Sequence, residues 1–147
     1  MNTITEISSE AVLELVKSRT DDIAKYLDTP EKHSDWRRVI VESPYAGDIE
    51  LNLKYIRACM RDCLLRGEAP YASHALYTQE GVLCDEIPEE RRRGISAGLA
   101  WKHGADSTVV YLDLGWSKGM REGVAYAQEL GQMVEERYLG PDWEDIK

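Results

Sequence analysis

The sequence predicts an α/β fold: a Rossmann-like (flavodoxin-like) three-layer domain with a small, mostly parallel sheet and an N-terminal helical extension. Three observations predict it. β-Branched runs of strand length alternate with longer segments of helical periodicity. Short loops rich in Ser, Gly and Asp lead from two of the strands into a helix, the order that gives parallel strands covered on both faces. A chain of 147 residues, 43% of them hydrophobic, suits one globular core.

The first helix is capped by Ser8 or Ser9, has Glu10 in its first turn, and carries Val12, Leu15, Val16, Ile23 and Leu27 at helical spacing. Thr29-Pro30 stops it, and Glu31 to Asp35 is a polar linker, so residues 1–35 form an extension that packs on the core or on a second subunit. From Trp36 the pattern changes. Arg38 to Glu42 is a β-branched strand, Ser43 to Gly47 a loop, and Asp48 caps a helix. That helix has a broad apolar stripe containing Tyr55, Ile56, Cys59 and Cys63, and Gly67 terminates it.

A second strand covers Ala69 to Ala72, where Pro70 marks a strand start or a sheet edge. Residues 73–85 read as a long irregular loop, a type of segment that often carries function. Pro88 opens a helix that runs to about His103, followed by a strand over Asp106 to Leu112. Asp113 to Trp116 is a turn, Ser117 caps a helix that Gly131 ends, and Gln132 to Leu139 is a last strand. The α/β domain thus spans residues 36–139, and residues 140–147 are an acidic tail. Trp36, Trp101 and Trp143 read as packing residues.

Charge and cysteine usage exclude several classes. Eighteen basic against 27 acidic residues give a formal charge of −9, which repels a phosphate backbone and argues against binding a nucleic-acid duplex. No apolar run reaches bilayer-spanning length, and Glu6 and Glu10 before the first lysine are wrong for a signal peptide. Three cysteines without metal-like spacing and three scattered histidines imply neither a disulfide framework nor a metal, and place the chain in a cytoplasm without a cofactor.

In such folds ligands bind beyond the carboxyl ends of the strands. Three loops qualify: residues 43–48, 73–78 and 113–119. The first and third lead into helices whose first amides are unpaired, so even an acidic chain can hold a phosphate or carboxylate there. Gly119 permits close backbone approach, and Glu122 falls one turn into the helix, available as nucleophile, base or hydroxyl acceptor, or simply as a helix-start carboxylate. His74 follows the second strand on the side where these loops gather, and Tyr77 and Trp116 offer rings for stacking on a nucleobase.

The run Val39-Ile40-Val41-Glu42-Ser43-Pro44-Tyr45 resembles the first strand and loop of the nucleoside 2-deoxyribosyltransferases. Ala105-Asp106, the apolar strand, Gly115-Trp116-Ser117-Lys118-Gly119, Glu122 and Ala125 resemble that family's second half, and the coverage is roughly Arg38 to Gly131. The same features are similar to deoxynucleoside 5′-monophosphate N-glycosidases and to small phage and prophage proteins, which would place the chain in a host cytoplasm. The resemblance implies cleavage or transfer at an N-glycosidic bond, with Glu122 as nucleophile and Tyr45 orienting it. It implies that Ser43, Ser117 and Gly119 bind the sugar end or a 5′-phosphate, and the loops around them add Pro44, Gly47, Asp48, His74, Trp116 and Met120 as candidate binding residues for the nucleoside or nucleotide. The family's aspartate that assists the leaving base has no counterpart in Gly94 to Leu99; Asp85, Glu89, Glu90 and Asp113 are the available acids. Without such an acid, the alternative is a protein that sequesters a nucleotide-derived signal without turnover. A small sheet with an appended helix leaves apolar surface that a homo-oligomer would cover, through that helix or through residues 91–101.

Overall fold

The computed structural model describes residues 8–27 and 35–145. It divides into two units, residues 1–36 and 37–147. In the first, helix α1 spans Ser9–Leu27, and the Ser8 hydroxyl accepts a hydrogen bond from the Ala11 amide at 3.2 Å, the expected cap. The predicted Thr29-Pro30 stop and the linker at 31–34 lie outside the described residues.

The second unit runs β1 (Arg37–Glu42), α2 (Ile49–Leu65), β2 (Glu68–Tyr71), α3 (Ser73–Leu76), α4 (Pro88–Lys102), β3 (Ser107–Tyr111), α5 (Lys118–Glu129) and β4 (Met133–Arg137), ending in a 3-10 turn at Trp143–Asp145. The strands form one sheet in the order β2-β1-β3-β4, and every pairing is parallel. The chain leaves β1 toward β2 and leaves β3 toward β4, on opposite sides, which makes the β1/β3 boundary the topological switch point. Among the described residues, no helix is long and apolar enough to cross a membrane.

Alternation along the strands builds two cores. Val39, Val41, Val109 and Tyr111 pack under α2 with its Tyr55, Ile56, Cys59 and Cys63. Val110 and Leu112 face the other way, onto Met120 and Val124 of α5. Both faces are therefore covered by helices, as the buried β-branched strands require.

Two segments and one packing residue differ from the sequence reading. The segment after β2 is not wholly irregular, because residues 73–76 form the single helical turn α3. Gly98 of α4 packs on that turn so closely that an added Cβ would lie 2.6 Å from the Ser73 Oγ. The acidic tail does not stand apart from the domain: Trp143 is 7% exposed and meets Tyr55 edge-on with ring centroids 4.9 Å apart. Trp101, by contrast, is 55% exposed, with its indole N–H donated to the Tyr77 hydroxyl at 3.1 Å.

The α4/α5 face also buries charge. Lys102 is 2% exposed and its Nζ lies 2.7 Å from the Glu42 Oε1 at the end of β1. The Glu42 carboxylate in turn lies on Gly123 of α5, where any Cβ would collide with it. Breaking one side of such a pair strands the other charge in a dry interior, at a cost of about 3–5 kcal/mol. Lys102→Met is therefore expected to lower the unfolding free energy by about that amount in urea titration, and Gly123→Ala by a similar order because it pushes Glu42 off Lys102. A variant within 1 kcal/mol of the parent would show that the pair is not the anchor described.

Candidate functional site

The loops that follow β1, β2 and β3 meet at the carboxyl edge of the sheet, and each is held by bonds that its sequence does not advertise. After β1, Ser43 and Pro44 are buried and Gly47 turns the chain with φ +98°. Asp48 caps α2 by accepting from the Leu51 amide at 3.1 Å. Asn52, buried one turn later, donates its amide to the carbonyls of Tyr45 (2.8 Å) and Ala46 (3.1 Å) and so clamps the loop. The periodicity of α2 treats Asn52 as a gap in an apolar stripe; its distance of one turn from Asp48 is the only hint of this role.

After β2, His74 lies beside Ser43, with Nε2 2.9 Å from the serine Oγ. Burial drives the imidazole pKa down to about 4, so the ring is neutral at pH 7. Tyr45 and His74 line a cleft of about 80 Å³ together with Tyr77, Asp85, Glu90, Arg91 and Ile95. Two of the acids named above as substitutes thus occupy this cleft, and both have partners: Glu90 accepts from the Cys84 amide at 2.5 Å, and Asp85 faces Arg91 at 3.4 Å.

After β3, Asp113 is not free to act as an acid. Its Oδ2 accepts from the Tyr55 hydroxyl at 2.6 Å and the Leu139 amide at 2.9 Å, and its Oδ1 from the Gly140 amide at 2.8 Å. Burial works to raise its pKa, but the Tyr55 and backbone donors outweigh burial and hold it below the ordinary carboxylate value. Asp113 is a brace joining the turn after β3 to α2 and to the chain beyond β4.

At the start of α5, Ser117 caps the helix by accepting from the Met120 amide at 3.2 Å, while the Met120 sulfur receives the Ser117 amide at 3.4 Å. Met120 is a core residue and touches no cleft. Trp116 packs partly against the same core, with the Arg121 guanidinium 5.1 Å above its ring. Gly119 faces open space. The Glu122 side chain is 61% exposed and its nearest charged partner is Lys118, at 3.8 Å on the same helix. Among the described residues no hydrogen bond joins Glu122 to Tyr45, and the cleft lining does not include Glu122, Trp116, Ser117 or Gly119. The predicted residues therefore fall into two neighbouring groups, one in the cleft after β1 and β2 and one at the exposed start of α5. No three described His, Cys, Asp or Glu side chains gather as a metal site.

Residues 37–137, the whole sheet with its intervening helices, match a family described as a domain of unknown function, DUF7768. The chain belongs to the DUF7768 family. No curated protein matches it. In this DUF7768 domain the matched span ends at Arg137, whose guanidinium makes a buried two-pronged pair with Glu68 at 2.7 and 2.8 Å. The last matched residue thus bonds β4 to β2, the two edge strands of the sheet.

The Asp113 brace has a pH signature. A carboxylate whose pKa is depressed on folding adds stability above its unfolded value, about 3.9, and that stability is lost as pH falls through the folded value. Asp113→Asn is expected to be less stable than the parent at pH 7 and to converge toward it on acidification below pH 4, measured by denaturant midpoint against pH. A difference that does not change with pH would remove the brace.

Proposed function

We propose that this domain binds a nucleoside, nucleotide or nucleotide derivative at the carboxyl edge of its sheet and cleaves or transfers at the N-glycosidic bond, with Glu122 as nucleophile. The observation that carries the reading is the seat of Gly123 on Glu42. Because Glu42 is the last residue of β1, this packing seats the α5 backbone at Gly123 against the carboxyl end of that strand, and the Glu122 side chain beside it is exposed. The similarity of residues 39–45 and 105–125 to the nucleoside 2-deoxyribosyltransferases supplies the reaction class.

In the first step a Glu122 oxygen bonds to the anomeric carbon as the bond to the base nitrogen breaks, and the bonding pair leaves with the base. The base takes a proton from water. Water, or a second base, then attacks the anomeric carbon, releases the sugar product and returns the Glu122 carboxylate.

A second reading, sequestration of a nucleotide-derived ligand without turnover, is favoured by a specific observation. Asp113 is consumed by Tyr55 and two amides, and the cleft's Glu90 and Asp85 already bond Cys84 and Arg91. No carboxyl stands ready to protonate a departing base.

Mass spectrometry of the protein incubated with pooled deoxynucleosides, monophosphates and cyclic or ADP-ribose-type nucleotides separates the two. Catalysis gives free base and a sugar adduct on Glu122, and Glu122→Ala lowers base release by at least about a thousandfold. Intact ligand recovered from denatured protein with no product establishes sequestration. Neither product nor retained ligand would end both readings.

A further inference from the structure

The Ser43–His74 contact fixes more than a distance. Ser43 is 5% exposed, and among the described residues its hydroxyl has one hydrogen-bond partner, the His74 Nε2 at 2.9 Å. A buried hydroxyl that fails to donate loses about 1–3 kcal/mol, and His74 Nε2 is the acceptor within reach. The serine therefore donates, Nε2 accepts, and in a neutral imidazole the proton resides on Nδ1. That N–H has no partner among the described residues, yet it is not sealed in the interior, where the Tyr71 hydroxyl alone is buried and unbonded. His74 lines the cleft, so its Nδ1 proton is offered there.

We propose that His74, held as its Nδ1–H tautomer by Ser43, is the donor that recognises an uncharged acceptor, a heterocycle ring nitrogen or carbonyl oxygen, on a ligand seated in the cleft. The rest of the lining suits such a group better than an anion. Tyr45 and Tyr77 supply aromatic surface, Ile95 apolar surface, and Asp85 and Glu90 repel negative charge that Arg91 offsets only in part. This inference rests on the function proposed above only in naming the acceptor as part of a nucleobase; the tautomer and the cleft's preference stand on the geometry.

The charged and titratable groups facing His74 are Tyr45 after β1, Tyr77 and Asp85 after α3, and Glu90 and Arg91 of α4. With burial holding the imidazole neutral to about pH 4, recognition is flat from pH 5 to 8, where an ordinary histidine would titrate.

Nitrogen-15 NMR of histidine-labelled full-length protein reads the tautomer directly. The expected result is Nδ1–H at pH 7 and unchanged at pH 5.5, with Ser43→Ala releasing the ring toward the Nε2–H form. An Nε2–H ring in the parent, or an imidazolium at pH 6, overturns the proposal. Adenine, cytosine, 2′-deoxyadenosine and inorganic phosphate are then titrated separately. The proposal expects the free bases to move the His74 ring signals and phosphate to leave them in place. It expects His74→Ala to weaken base binding about tenfold and His74→Asn, which keeps a donor near the Nδ1 position, to restore most of it. Signals that ignore both bases, or that respond to phosphate instead, overturn it. If the bases bind at His74 while deoxynucleosides neither bind nor react, the recognition stands and the N-glycosidic reading falls.

Discussion

The constraint on which the rest of the domain depends is the buried ion pair between Glu42 and Lys102. It ties the last residue of the central strand β1 to the last residue of α4, and further hydrogen bonds extend it. Lys102 Nζ also reaches Thr108 on β3 at 3.3 Å, and Thr108 donates to Gln132 at 2.6 Å. The Gln132 amide returns to the carbonyls of Lys102 and Ala105 at 2.8 and 3.0 Å, closing the network. A hydrogen-bonded polar network inside a sheet–helix interface contributes specificity of packing even where its net stabilisation is small. Here it sets how α5 meets β1. Burial pushes the Glu42 carboxyl upward, and Lys102 pulls against that shift. The carboxylate can lie on α5 only because position 123 is a glycine.

On the opposite face the same edge of the sheet is braced by α2. Tyr55 and Asn52 lie on one buried side of that helix; the first holds the turn after β3 through Asp113, and the second holds the loop after β1 through two carbonyls. The crevice at the switch point is thus fixed from both layers: by an ion pair on the α4/α5 side and by hydrogen bonds on the α2 side. Neither brace uses the residues most exposed to a ligand, which leaves Glu122, Tyr45 and the Nδ1 face of His74 available.

Much of the fold was legible because it rests on periodicity. The β-branched run at 107–111, the apolar stripe of α2 and the Pro88 start of α4 are local signals, and each element lies where they point. What escaped depends on partners distant in sequence. Trp143 reads as a packing residue, and it is one, but its partner Tyr55 lies across the core on α2, far away in sequence. Asp113 sits at a strand's carboxyl end, where an acid invites a catalytic reading, and its three donors come from residues 55, 139 and 140. Lys102 looks like an ordinary charge in a helix's last turn until β1 delivers Glu42 beneath it. Of the candidate site, the Ser43, Tyr45 and His74 grouping followed from the rule that loops gather beyond parallel strands. Met120 did not, since its neighbours in sequence look like a ligand loop while its side chain points into the second core.

The two helix starts at the crevice, equivalent in sequence as places for an anion, are physically unequal. The start of α2 already carries a carboxylate, because Asp48 caps it, so its partial positive charge is largely answered from within the chain. The start of α5 is capped by a neutral hydroxyl and a thioether, and Gly119 opens onto free space. An anionic end of a ligand is therefore better accommodated at α5, beside Lys118 and Arg121, than in the cleft, where two carboxylates face a neutral imidazole. A molecule with a neutral heterocycle at one end and a charged group at the other fits this division of polarity, with its heterocycle toward His74 and its charge toward α5.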